Sequence, residues 1–182
     1  MIFVWDERVA NLLRQAPDWL LLQTMGYFLG EILPYLLAGG AFISALLLPK
    51  KLRKFAIAQI LLAVVVARGM MATAIYTFYQ RPRPFVSLDF EPLLNPMGAA
   101  SFPSGHAIAF AALAASFWPY SRRTSLILFF GAVLNGLGRM YAGVHWMSDV
   151  VVGLLLGVVG GYLVELLVRN IRTRLGGAPN QV

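Results

Sequence analysis

The chain has 182 residues, of which 59% are hydrophobic and 13% charged, and its mean hydropathy is +0.70. That leaves too little polar surface to clothe a soluble globule of this size, so a bilayer is the solvent expected for most of the fold. The 15 Lys and Arg against 8 Asp and Glu cluster between apolar runs, as in membrane loops, and form no basic stripe interleaved with exposed aromatics, which argues against a nucleic-acid partner.

In chain order, Val4 to Gln15 alternates apolar and charged residues as an interfacial amphipathic helix does, and residues 1–18 are assigned to the membrane interface. Acids precede the first long apolar run and no small-residue cleavage site is evident, so this stretch is not read as a removable signal peptide. Five spans follow, from about Trp19 to Leu48, Phe55 to Tyr79, Ser104 to Trp118, Thr124 to Tyr141 and Met147 to Val168. The fold class expected is all-α: an integral membrane bundle of about five transmembrane helices plus the interfacial helix. No internal repeat divides residues 1–182, so one domain is expected, with 169–182 as a tail.

The basic residues orient the bundle. Lys50, Lys51, Arg53 and Lys54, then Arg122 and Arg123, then Arg169, Arg172 and Arg174 fall at alternate connections, which the positive-inside rule assigns to the cytoplasm. The N-terminus is then outside, the C-terminus inside, and the connections Gln80 to Pro103 and Ala142 to Trp146 are outside.

Those two connections and their helix ends hold the chemistry: "RPRPF" from Arg81, "PSGH" from Pro103 and "GRMYAGVHWMSD" from Gly138. Taken singly, each has a plain structural explanation: arginines as interface anchors, Ser104 as a helix N-cap, His145 and Asp149 as a pair four residues apart. Jointly, the topology gathers Arg83, Arg139, His106, His145 and Asp149 at one membrane surface. Arginine forks match phosphate oxygens, and the start of the third span offers free amides and a positive dipole end. Gly105 allows close approach of the backbone, and the Ser104 hydroxyl adds a donor. His145, held by Asp149, suits attack on phosphorus, and His106 suits protonation of the departing oxygen. Arg83, Arg139, Ser104 and the Gly105 amide then stabilise the phosphoryl oxygens. With no cysteine in the chain and no other cluster at ligand spacing, no metal or cofactor is expected.

These three segments resemble the membrane type-2 phosphatidic acid phosphatase family, whose site is shared with bacterial acid phosphatases and vanadium haloperoxidases. The family pattern reads K-x6-RP, PSGH and SR-x5-H-x3-D. Arg83 and Pro84 match the end of the first motif, Pro103 to His106 the whole of the second, and Arg139, His145 and Asp149 the third. The resemblance implies His145 as nucleophile, Asp149 as its partner, His106 as acid, and Arg83, Ser104, Gly105 and Arg139 as phosphate binders.

Two positions depart from the pattern: Tyr76 stands where it has Lys, and Gly138 where it has Ser. Arg81 is a candidate substitute donor, otherwise an interface anchor, and Tyr76 a candidate hydrogen-bonding contact to substrate, otherwise part of an interfacial aromatic belt.

Glu31 and Arg68 fall at matching depth inside the first two spans, about 18 Å from the outer ends. They are expected to face each other, as a fold-specifying ion pair or as part of substrate binding. Glu165 and Arg169 read as a pair on a helix surface. The loop carrying Phe90, Leu93, Leu94 and Met97 reads either as a flank to a lipid entrance or as ordinary loop packing.

The resemblance implies a lipid phosphate or pyrophosphate as substrate, with the bilayer as partner and a bacterial cytoplasmic membrane as location. Small five-span members with an outward site are similar to undecaprenyl-pyrophosphate phosphatases. Phosphatidylglycerol phosphate, phosphatidic acid and lipid A phosphates are the alternatives, and a non-catalytic lipid-binding or transport protein is the alternative from another class.

Overall fold

The computed structural model of the chain describes residues 4–17, 19–95, 98 and 100–174, with side chains to residue 171. Met97, residues 175–182 of the tail and residues 1–3 and 18 of the N-terminal segment lie outside the described residues. Among the described residues there are helices and loops and no strand. We name the main helices α1 (Val4–Arg14), α2 (Leu20–Leu46) and α3 (Lys50–Phe78), α4 (Gly105–Phe117), α5 (Arg122–Tyr141) and α6 (Met147–Arg174). A single helical turn, Pro84–Ser87, interrupts the loop after α3.

The observed boundaries differ from expectation chiefly at the basic ends. α3 begins at Lys50, directly after Pro49, because proline ends the preceding helix while lysine and arginine are good helix formers. For the same reason α6 runs past Val168 through the basic residues that follow. By length and composition α2, α3 and Met147–Ile171 of α6 can each cross a membrane. α4 is apolar but has 13 residues, a rise of about 20 Å, short of a hydrocarbon core of about 30 Å.

α4 is the hub of the bundle, touching α3, α5 and α6. Ala107, Ile108, Ala111, Ala112 and Phe117 are all sealed from solvent. Small residues set how closely α6 approaches it. A Cβ on Gly153 would sit 2.8 Å from the Ser104 carbonyl, and one on Gly161 2.6 Å from the Ala112 carbonyl. Backbone-to-backbone packing of this kind replaces the hydrophobic drive that lipid cannot supply. It also holds the start of α4 to the start of α6: the Ser104 amide donates to the Asp149 carbonyl at 3.0 Å.

Both α2 and α3 contain a π-helical stretch, Phe28–Ile32 and Val65–Met71, and these hold Glu31 and Arg68. In α2 the cause is legible. Pro34 has no N–H to offer the carbonyl of Gly30 four residues earlier, so the regular ladder cannot continue. That carbonyl accepts instead from Asn135 Nδ2 at 3.1 Å and Arg139 Nη1 at 3.0 Å, which ties α5 to α2 beside the site.

α1 docks on the hairpin of α5 and α6, with Val9 and Leu13 against Met140 and Val150. In the loop after α3, Leu93 and Leu94 pack on Ala142 and Val144, and Phe90 lies 4.7 Å below the Arg14 guanidinium. Phe90, Leu93 and Leu94 therefore pack against the turn between α5 and α6. Glu165 and Arg169 approach to 4.0 Å, but Glu165 is buried rather than on the surface.

Candidate active site

The ends of α3, α5 and the starts of α4 and α6 meet around a cavity of about 580 Å³, whose wall includes Tyr76, Arg83, Gly105, His106, Arg139 and His145. A larger cavity of about 780 Å³ lies at the other end of α4, α5 and α6, among Trp118, Arg122, Tyr162 and Glu165, and holds none of the motif residues. Chemistry, not size, distinguishes the first.

His145 is in the loop just ahead of α6, and Asp149 is in the first turn of that helix. The Asp149 carboxylate is fully buried and doubly held: Oδ1 accepts from Arg81 Nη1 at 2.6 Å and Oδ2 from the Trp146 amide at 2.8 Å. Oδ2 also lies 3.5 Å from His145 Nδ1, too long for a formed hydrogen bond, and Nδ1 is buried without another partner. Nδ1 is thus the ring nitrogen that faces Asp149. Burial pushes the His145 pKa below the ordinary imidazole value, and the Asp149 carboxylate opposes that shift.

The arginines are fixed by backbone carbonyls. Arg83 donates through Nη1 to Val144 at 2.8 Å and through Nε to Gly98 at 3.2 Å. Burial lowers its pKa, while Tyr76 and Asp149 act in the other direction, and the guanidinium remains charged at neutral pH. Arg139 is held by Gly30, and its Nε is buried without a hydrogen-bond partner. Ser104 stands at the N-cap position of α4 without a side-chain capping bond, and its Oγ is likewise buried and unpartnered. A buried donor left open on a cavity wall, as on Arg139, is what an anion-binding site offers before its ligand arrives. Ser104 itself stands behind the wall, with Gly105 and His106 forming the surface.

The motif departures find physical explanations. Gly138, in place of serine, lets α5 lie directly on α2: a Cβ there would be 2.6 Å from the Gly30 nitrogen. Tyr76 lines the cavity, but its hydroxyl donates to the Pro103 carbonyl at 2.6 Å. Its one proton is therefore engaged, which removes the phenol as a donor to substrate.

Arg81 is not on the cavity wall. Its guanidinium is buried, donating through Nη1 to Ser148 Oγ at 2.7 Å and to Asp149, and through Nη2 to Asp6 Oδ2 at 2.6 Å. Two carboxylates claim it, so neither of its candidate roles, substitute phosphate donor or interface anchor, matches its position. Asp6 in turn accepts from the Ser148 amide at 2.8 Å. Burial pushes the Asp6 pKa up, and the bonds from Arg81 and Ser148 more than reverse this, leaving it lowered.

Glu31 and Arg68, expected to face each other, both line the cavity wall, but among the described residues they form no ion pair. The Arg68 guanidinium instead lies 5.6 Å over the Tyr76 ring. Asp6 and Ser148 were missed from the sequence. Their only signal there was an acid near the start of an acid-poor chain, and its partner stands 75 positions away.

Comparison with known proteins agrees with this geometry. The PAP2 superfamily pattern matches residues 56–172. The chain belongs to the PAP2 superfamily and is a membrane phosphatase of that family. A relative named bacitracin transport permease protein BcrC, from Bacillus licheniformis, is 31% identical over 150 residues, 81% of this chain and 72% of that one. An undecaprenyl-diphosphatase from Sulfolobus acidocaldarius is 36% identical over 114 residues, 62% of this chain and about half of its own length (54%). Among solved structures, LpxE from Aquifex aeolicus superposes with a TM-score of 0.65 at 28% identity, covering 90% of this chain and 96% of that one.

Proposed function

We propose that the chain hydrolyses a lipid diphosphate, undecaprenyl diphosphate being the substrate favoured, through a phosphohistidine. The observation that carries this reading is the single cavity onto which both histidines and two carbonyl-anchored arginines open, with a buried carboxylate behind His145. His145 Nε2 attacks the terminal phosphorus, and the bond to the bridging oxygen breaks. His106 gives its proton to that oxygen, so the lipid leaves as a monophosphate. Arg83, Arg139 and the amides at the start of α4 stabilise the charge on the equatorial oxygens. Water then attacks the phosphoimidazole, with His106 accepting its proton, and inorganic phosphate is released.

The likeness to a named undecaprenyl-diphosphatase supports the choice of lipid. The basic ends of α3 and α5 lie away from the site along their helices, which supports an extracytoplasmic site in a cytoplasmic membrane.

The test is phosphate release by the purified protein from undecaprenyl diphosphate, phosphatidylglycerol phosphate, phosphatidic acid and lipid A, side by side. A preference of at least about tenfold for the diphosphate, about 1.4 kcal/mol, is expected. Vanadate, which imitates pentacoordinate phosphorus, inhibits. Turnover surviving in both His106→Ala and His145→Ala refutes the mechanism. No turnover on any lipid leaves a lipid-binding or transport role.

A further inference from the structure

The site cavity continues into a second one of about 320 Å³ between α2 and α4, walled by Pro34, Ala38, Ala109 and Phe110. The two share Glu31, Tyr35, Arg68, Gly105 and His106. One end of the combined space is therefore cationic and carries His145, the other is apolar, and Arg68 and His106 stand at the junction. A lipid that puts its reacting phosphorus at His145 and its tail in the apolar groove has its leaving oxygen at this junction.

We propose that Arg68 binds the second, lipid-proximal phosphate of a diphosphate substrate, which makes the junction a leaving-group subsite. This rests on the attack by His145 proposed above. When the anhydride bond breaks, negative charge builds on the departing lipid phosphate, and a cation at the junction stabilises it. If the leaving group were a neutral alcohol, Arg68 would have no such charge to meet.

Several observations place the guanidinium for this purpose. Arg68 stands at bilayer depth on α3, where an arginine is costly unless paired or facing a polar cavity. Among the described residues no carboxylate comes within ion-pair distance of it. The Tyr76 ring, anchored through its hydroxyl to Pro103, supports it at cation–π distance. Gly105 makes room at the start of α4, where a Cβ would lie 2.8 Å from Arg68 Cζ. Tyrosine at position 76, in place of the family lysine, thus goes with an arginine eight residues earlier on the same helix. Glu31 lines the same junction but lies beyond ion-pair distance of Arg68.

The test compares Arg68→Gln and Arg68→Lys with the wild-type protein on an isoprenoid diphosphate and the corresponding monophosphate, with methylene diphosphonate and vanadate as inhibitors. For Arg68→Gln, kcat/KM on the diphosphate falls about 30-fold, the size of one lost charge-assisted contact, while monophosphate turnover changes less than about threefold. Inhibition by the diphosphonate weakens to a similar degree, and inhibition by vanadate does not. Arg68→Lys recovers most of the loss. Equal losses on both substrates, no loss on either, or unchanged diphosphonate inhibition overturns the subsite. Failure of the parent reading would look different: a wild-type protein that releases no phosphate, or an active His145→Ala.

Discussion

Arg81 Nη1 donates to Asp149 Oδ1 at 2.6 Å, with both side chains closed off from solvent. The same guanidinium holds Asp6 on α1, so the N-terminal helix is clamped to the carboxylate that backs His145. Breaking a buried pair by removing one partner leaves a stranded charge, at a cost of about 3–5 kcal/mol. Arg81→Ala is therefore expected to unfold far more easily in detergent. Asp6→Asn is expected to be milder, lowering kcat while KM stays within about twofold, since the network would orient the proposed nucleophile without touching substrate. A rise in KM with kcat intact would return Arg81 to a direct role at the phosphate.

On the proposed mechanism, His145 is expected to set the acid side of the pH profile. Burial keeps its imidazole neutral below the ordinary value of about 6.5. Activity is lost only as pH falls through that lowered pKa, so the acid limb of kcat/KM should lie below about pH 6.5. Asp149→Asn removes the charge that opposes burial. The limb then moves further acid, and kcat drops at least about a hundredfold from loss of ring orientation. A limb at or above the free-imidazole value contradicts this account.

Gly138→Ser restores the family motif and should nonetheless harm this chain. The new Cβ meets the Gly30 backbone at 2.6 Å, and overpacking of this kind costs about 1–3 kcal/mol. Thermal unfolding in detergent measures it. Because the displaced segment carries the carbonyl that holds Arg139, activity should fall too. Unchanged stability would mean that α2 and α5 part readily.

Orientation can be read chemically, because the chain has no cysteine of its own. Ser87→Cys, exposed beside the site, should react with an impermeant maleimide on intact cells. Arg123→Cys, exposed at the far end of α5, should react only after permeabilisation. The reverse pattern places the site in the cytoplasm.

Hydropathy and local pattern alone announced a helical membrane protein, because a bilayer demands long apolar runs and internally satisfied backbone. The motifs marked the candidate reactive residues, since their spacing is local: His145 and Asp149 are four apart, and Ser104 to His106 are consecutive. What could not be read from one dimension was which charges meet. Arg81 has a phosphate-binder's place in the sequence but is taken by Asp6 and Asp149, and Arg68 was expected against Glu31 but lies on Tyr76 at the cavity junction. The physical reason is that a buried ionic group is stabilised only by direct contact over a few ångströms. Whether two side chains 75 positions apart achieve that depends on helix rotation, a π turn and a few glycines, and these act together only once the bundle has packed.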